Sequence, residues 1–152
     1  MARKLSIIIP TRNRARIVQT LLNSLRELVG LNQFQPQIIV GDNNSQDETP
    51  KLLNSIAKNF PVPLTLLKIQ RRGKSAAMNE ASRAAHGDVL AFLDDDVVVQ
   101  SNWLCAVQQF FEEKDYQAAQ GVIRIRPGGA ETLVTPALIN RYRTIPNIDF
   151  GP

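Results

Sequence analysis

Residues 88–96 read Asp88-Val89-Leu90-Ala91-Phe92-Leu93-Asp94-Asp95-Asp96, a short apolar run that ends in three carboxylates. An uncharged run of this length bounded by turn formers fits a buried strand, which three adjacent acids bring to a stop. Upstream, residues 75–86 form an Ala-rich helical pattern closed by Gly87, with His86 at the helix end where the dipole favours it. Downstream, Ser101 is placed to cap a helix carrying Trp103, Leu104, Val107, Phe110 and Phe111.

The same alternation extends to the start of the chain. Leu5-Ser6-Ile7-Ile8-Ile9, stopped by Pro10, reads as the first strand. Ile17, Leu21, Leu22, Leu25, Leu28 and Val29 recur at helical spacing, and Gly30 supplies a C-terminal cap. Gln37-Ile38-Ile39-Val40-Gly41 is the second strand; a helix with Leu52, Leu53, Ile56, Ala57 and Phe60 on one stripe follows. Residues 64–69 make the third strand, 88–93 the fourth, and 117–126 alternate enough for a fifth. The order β-α-β-α-β-α-β-α-β predicts an α/β fold with a parallel sheet and crossover helices. Beyond Pro127-Gly128-Gly129 the pattern weakens to one short helix over residues 131–143.

Composition bounds the rest. The 152 residues, 43% of them hydrophobic, suit one globular domain with its own core. One cysteine, Cys105, excludes an intrachain disulfide framework, and it reads as a small core hydrophobe. The single histidine, His86, argues against a His-based metal site. No apolar run approaches the ~20 residues of a membrane span, and the start is too short for a signal-peptide core, which predicts a cytoplasmic protein. The net charge is +4, with six basic residues and one acid, Glu27, up to residue 41. That basic start allows peripheral association with an anionic membrane face. No aromatics interleave with Arg12, Arg14 and Arg16, so no nucleic-acid partner is expected.

Parallel sheets bind ligands at the carboxyl ends of their strands. The loops there are residues 10–14, 42–47, 70–75 and 94–96, the most polar segments of the chain. Alternation along extended backbone lets Asp94 and Asp96 project together while Asp95 points away. Mg²⁺ or Mn²⁺ would relieve their mutual repulsion, with water and substrate phosphates completing its shell. Helix capping is the competing reading of these acids, weakened by Val97, Val98 and Val99 before Ser101. Asp42, Asn43, Asn44 and Ser45 suit ribose or base recognition, and equally an Asx turn with a helix cap. Thr11, Arg12, Asn13 and Arg14 suit phosphate or base contact, and equally a solvated basic turn. Gly73-Lys74-Ser75 is not a P-loop, because Lys68 stands where that motif needs glycine; nor is there a G-x-G-x-x-G.

Read in order, these segments resemble family 2 glycosyltransferases. The resemblance is carried by Ser6-Ile7-Ile8-Ile9-Pro10-Thr11-Arg12-Asn13-Arg14, the 42–47 loop, Gly73-Lys74-Ser75-Ala76-Ala77-Met78-Asn79, residues 87–96, and Trp103-Leu104. It implies a GT-A fold, a Rossmann-like, mostly parallel sheet with flanking helices, truncated here. It further implies metal-assisted, inverting transfer of a sugar from a nucleoside diphosphate to a glycan, lipid-linked or other hydroxyl acceptor, as in cell-envelope or polysaccharide synthesis. Pro10, Thr11, Arg12, Asn13, Asp42 and Asn43 would hold base and ribose, and Lys74 and Asn79 the diphosphate side. Asp96 would be the favoured ligand of Mg²⁺ or Mn²⁺, with Asp94 or Asp95 near ribose and Asp94 a second candidate ligand. Residues 1–126 would be the nucleotide-sugar-binding domain, and 127–152 the start of an incomplete acceptor side. Two positions depart from the commonest pattern: Asn43 stands where an aspartate is often found, and Ala81 where glycine is common.

No acid after Asp96 matches the family's general base, so that role stays unassigned. A non-catalytic nucleotide-sugar-binding module is therefore the alternative. A receiver-type phosphoacceptor domain needs acids after the first strand, and Pro10-Thr11-Arg12-Asn13 supplies none.

Overall fold

The computed structural model describes residues 3–113, 117–121, 123–125 and 132–134. Its centre is β1 (Leu5–Thr11), buried along its whole length. The β-branched run Ile7-Ile8-Ile9 explains this: side chains alternate between the two faces, and both faces are covered. Helices α1 (Ala15–Arg26) and α2 (Leu31–Phe34) lead to β2 (Gln37–Asp42), and α3 (Thr49–Ala57) leads to β3 (Leu64–Lys68). Then α4 (Lys74–Arg83) carries the chain back across the sheet to β4 (Val89–Phe92), and α5 (Trp103–Glu113) follows. The four strands are all parallel, in the order β3-β2-β1-β4. The direction of winding reverses at β1, which puts a topological switch point between β1 and β4.

The faces of the sheet differ. On one, Ile7, Ile9, Ile38 and Val40 pack against Val18, Leu21, Leu22 and Leu25 of α1, Leu53 of α3, and Leu104 and Val107 of α5. On the other, Ile8 and Ile39 meet Ala81 of α4, with Leu67, Ala84 and Ala85 alongside. Small alanines let α4 lie close to the strands, so its first residue, Lys74, sits near the ends of β1 and β2.

Several expectations shift. The first helix ends at Arg26, not at Val29; Val29 is exposed, as is Ile17, and Gly30 instead opens α2 at φ +81°. The fourth helix ends at Arg83, so His86 lies beyond it and donates its backbone N–H to Gln37 Oε1 at 3.0 Å. Helix α5 starts at Trp103, and the Asn102 carbonyl, not Ser101, accepts its first-turn bond from Ala106 N–H. Cys105 is only partly buried, its thiol 3.4 Å from the Val29 carbonyl oxygen.

The fifth strand is the largest correction. Among the described residues of 117–126, β5 (Ile123–Ile125) is the extended segment, and it pairs antiparallel with β6 (Thr132–Val134) in a separate two-stranded sheet. The expected helix over 131–143 is therefore strand at 132–134; residues 131 and 135–143 lie outside the described residues. An antiparallel partner can lie close in sequence, whereas a fifth parallel strand needs a crossover of a dozen residues or more.

Candidate functional site

Strand register brings the polar loops together. Thr11 is level with Asp42, and Asp42 with Lys68. On the other side Ile8 is level with Phe92, and Leu93 N–H donates to the Ile8 carbonyl at 3.0 Å. The acids that follow Leu93 are thus carried past the end of β1. A cavity of about 420 Å³ opens there, lined by Pro10, Thr11, Arg12, Arg14, Asn43, Gly73, Lys74, Ala77, Asp94, Asp95 and Asp96.

The three aspartates take three environments. Asp95 is buried; its Oδ2 accepts the Thr11 hydroxyl at 2.7 Å and its Oδ1 accepts Arg14 Nη1 at 2.9 Å. The same Arg14 nitrogen reaches Asp96 Oδ2 at 3.3 Å. Lys74 Nζ lies 2.5 Å from Asp94 Oδ1. Asp95 turns inward while Asp94 and Asp96 stay exposed on the cavity; Asp95 and Asp96 lie in a turn, so the division is set by the contacts of Asp95 and not by strand alternation. The charge of Asp95, then its hydrogen bond, raises the Arg14 guanidinium above its ordinary pKa and keeps it a cation.

The wall after β1 and β2 is knitted to itself. Asp42 Oδ1 accepts both the backbone N–H (3.1 Å) and the hydroxyl of Ser45. Ser45 Oγ accepts Asn13 N–H at 2.9 Å, and Asn13 Oδ1 accepts Gln46 N–H at 2.7 Å. Asn13 takes φ +50° to do so, a left-handed conformation that asparagine tolerates better than most residues. Asp47 Oδ1 accepts Thr49 N–H at 3.0 Å at the start of α3. Hydrogen bonds from the Thr49 hydroxyl and then its N–H hold the Asp47 carboxyl below its ordinary pKa.

Of the residues singled out from sequence, the cavity gathers Pro10, Thr11, Arg12, Asn43, Lys74 and Asp94 to Asp96. Asn13 and Asp42 are committed to the adjoining turn and do not line it. Asn79 is exposed on the far side of α4: Ala77 and Ala81 face the sheet, and a residue midway between them points away. Arg14, read from sequence as a phosphate or base contact in the 11–14 loop, also lines it, and the cavity adds Gly73 and Ala77. Helical spacing from Lys74 would have found Ala77. Gly73 takes φ +116°, a backbone state suited to glycine, at the Gly-Lys step that opens α4.

Asp94 and Asp96 offer hard, exposed carboxylate oxygens at the mouth of the cavity, which fits Mg²⁺ or Mn²⁺ held by one or two carboxylates and phosphate oxygens. Among the described residues no cluster of three or more His, Cys, Asp or Glu would cage an ion unaided.

Over residues 6–149 the chain matches the family model Glycosyl transferase family 2. It is 32% identical over 122 residues to beta-monoglucosyldiacylglycerol synthase of Trichormus variabilis, covering 76% of this chain and 25% of that protein. The mannosyltransferase of Pyrobaculum calidifontis, solved in complex with GDP-Man and Mn²⁺, superposes with a TM-score of 0.65 at 29% identity, over 71% of this chain and 32% of that one. S. aureus TarS 1–349, solved in complex with UDP-GlcNAc, gives a TM-score of 0.61 at 25% identity, over 72% and 31%. The chain spans about a quarter of the length of the curated relatives it matches first, 24% and 25%. With a parallel sheet flanked by helices and its strand-end loops gathered round one cavity, the chain has the GT-A fold and belongs to glycosyl transferase family 2.

Proposed function

We propose that this chain is the donor-binding part of a glycosyltransferase. The enzyme would transfer a sugar from a nucleoside diphosphate to an acceptor hydroxyl, with inversion at the sugar carbon. The observation that carries this reading is the cavity itself, where Lys74 and Arg14 face Asp94 to Asp96 at the carboxyl ends of β1 and β4. Residues 1–126 form the donor unit in this reading and 127–152 begin the acceptor side. Acceptors are glycan, lipid-linked or other hydroxyl compounds, and the chain works in the cytoplasm or at the inner membrane face. Among the described residues no helix is long and apolar enough to cross a membrane.

Each group has a physical task. The loops at residues 10–13 and 42–43 border the nucleoside. Lys74, at the first turn of α4, adds an ammonium to the free N–H groups of a helix start and so favours the diphosphate. Asn79 belonged to the diphosphate side by resemblance alone, and its exposed position gives it no contact with the cavity. Asp96 and Asp94 would hold Mg²⁺ or Mn²⁺. That cation, when bound, neutralises charge on the departing diphosphate. Asp95 keeps Thr11 and Arg14 in place beneath them.

Thermal unfolding with UDP, GDP and other nucleoside diphosphates, with and without Mn²⁺, tests the reading. A ligand at 100 times its Kd stabilises by about 2.7 kcal/mol. No shift with any metal–nucleotide pair would remove it. A shift without sugar-nucleotide turnover on acceptors would favour a binding module that does no chemistry.

A further inference from the structure

We propose that Asn43 is a positioning residue whose amide clamps the loop before α4 and so sets Lys74 on the diphosphate side of the cavity. This assignment rests on the nucleotide-diphosphate reading of the site. It departs from base recognition, the role that the resemblance implies for this position.

Asn43 is 4% exposed. Its Nδ2 donates to the Arg71 carbonyl at 2.7 Å, and its Oδ1 accepts Gly73 N–H at 3.0 Å. Its backbone N–H donates to the Thr11 carbonyl at 2.9 Å. One buried residue thus ties the end of β1, through its backbone, to the loop from which Lys74 emerges, through its side chain. Only one orientation of the amide fits, because its NH₂ must face a carbonyl and its oxygen must face an N–H. These two bonds fix the plane of the amide, and they engage one of its hydrogens and one lone pair of its oxygen in holding the loop.

The geometry also explains why an amide stands here and not an acid. A carboxylate could still accept Gly73 N–H. Its second oxygen would then face the Arg71 carbonyl oxygen at hydrogen-bond distance with no proton between them. Gly73, at φ +116° and ψ 143°, holds the turn that starts α4, and Lys74 is the next residue. Releasing the clamp therefore moves the ammonium that faces Asp94.

The test is NMR titration of the wild type and Asn43→Asp with uridine and guanosine, and with UDP and GDP in the presence of Mg²⁺. The Gly73 amide exchange rate is followed in parallel without ligand. The variant is expected to weaken nucleoside diphosphate binding at least tenfold more than it weakens nucleoside binding, and to speed Gly73 exchange at least tenfold. Equal losses for nucleoside and diphosphate would restore base reading and overturn the proposal. Unchanged Gly73 exchange would overturn the clamp by itself. If the wild type binds no diphosphate, the site reading fails and takes the diphosphate half of the proposal with it, while the exchange rate still decides the clamp. Asn43→Ser, too short to span both partners, must give the same pattern and serves if Asn43→Asp does not fold.

Discussion

The cavity has two sides that obey different rules. The wall after β1 and β2 is buried, with Thr11, Asp42, Asn43 and Ser45 at 4–8% exposure, and its polar atoms are bonded to one another or to backbone. The rim is open: the side chains of Lys74, Asp94 and Asp96 are 58%, 54% and 58% exposed, and their partners are opposite charges. Buried polar groups are costly to leave unpaired, so the wall keeps its shape. Exposed ion pairs are worth little, so the rim can trade partners. A ligand with phosphate and a divalent cation would replace Lys74–Asp94 and Arg14–Asp96 contacts without disturbing what lies beneath.

Three substitutions probe that contrast. The largest effect belongs to the rim and to chemistry: Asp96→Ala is expected to lower sugar-nucleotide turnover by about 100-fold or more, since charge stabilisation by a metal is worth several kcal/mol. Its thermal midpoint should stay within about 2 °C of wild type. A large loss of midpoint with turnover intact would reverse the roles of rim and wall. Next comes Asp95, the buried acid after β4 that accepts the hydroxyl of Thr11 in the wall. Asp95→Ala leaves the buried Thr11 hydroxyl without its acceptor and should cost about 1–3 kcal/mol in urea unfolding. A cost under about 0.5 kcal/mol would mean that Asp95 is no more structural than its neighbours.

The smallest effect lies at the outer end of the wall. The Asp47 carboxyl is held below its ordinary pKa of 3.8, so its contribution to stability is present above that value and is lost as pH falls through the folded-state pKa. The gap in thermal midpoint between wild type and Asp47→Asn should narrow as pH drops from about 6 to about 3. A gap that stays constant over that range would show that the ionised carboxylate contributes nothing.

Much of this was legible in the chain. Ile7-Ile8-Ile9 announces a strand buried on both faces, the stripe Leu21, Leu22 and Leu25 a helix on one side of it, and the aspartates after Leu93 a strand end facing solvent. These signals are local: a period near 2 or near 3.6 is written in consecutive residues. The pairing of β5 with β6 was not legible, because three-residue strands carry too little periodicity to name a partner.

The sequence by itself determined the order of the four parallel strands and the main helices between them, the four polar loops and the family. Tertiary structure alone decided which polar atoms face inward. Asp95 is spent on Thr11 and Arg14, Asn43 on Arg71 and Gly73, and Asn79 faces away from the cavity. The reason is distance along the chain: Thr11 and Asp95 are 84 positions apart, and their hydrogen bond exists only because parallel register brings the ends of β1 and β4 side by side.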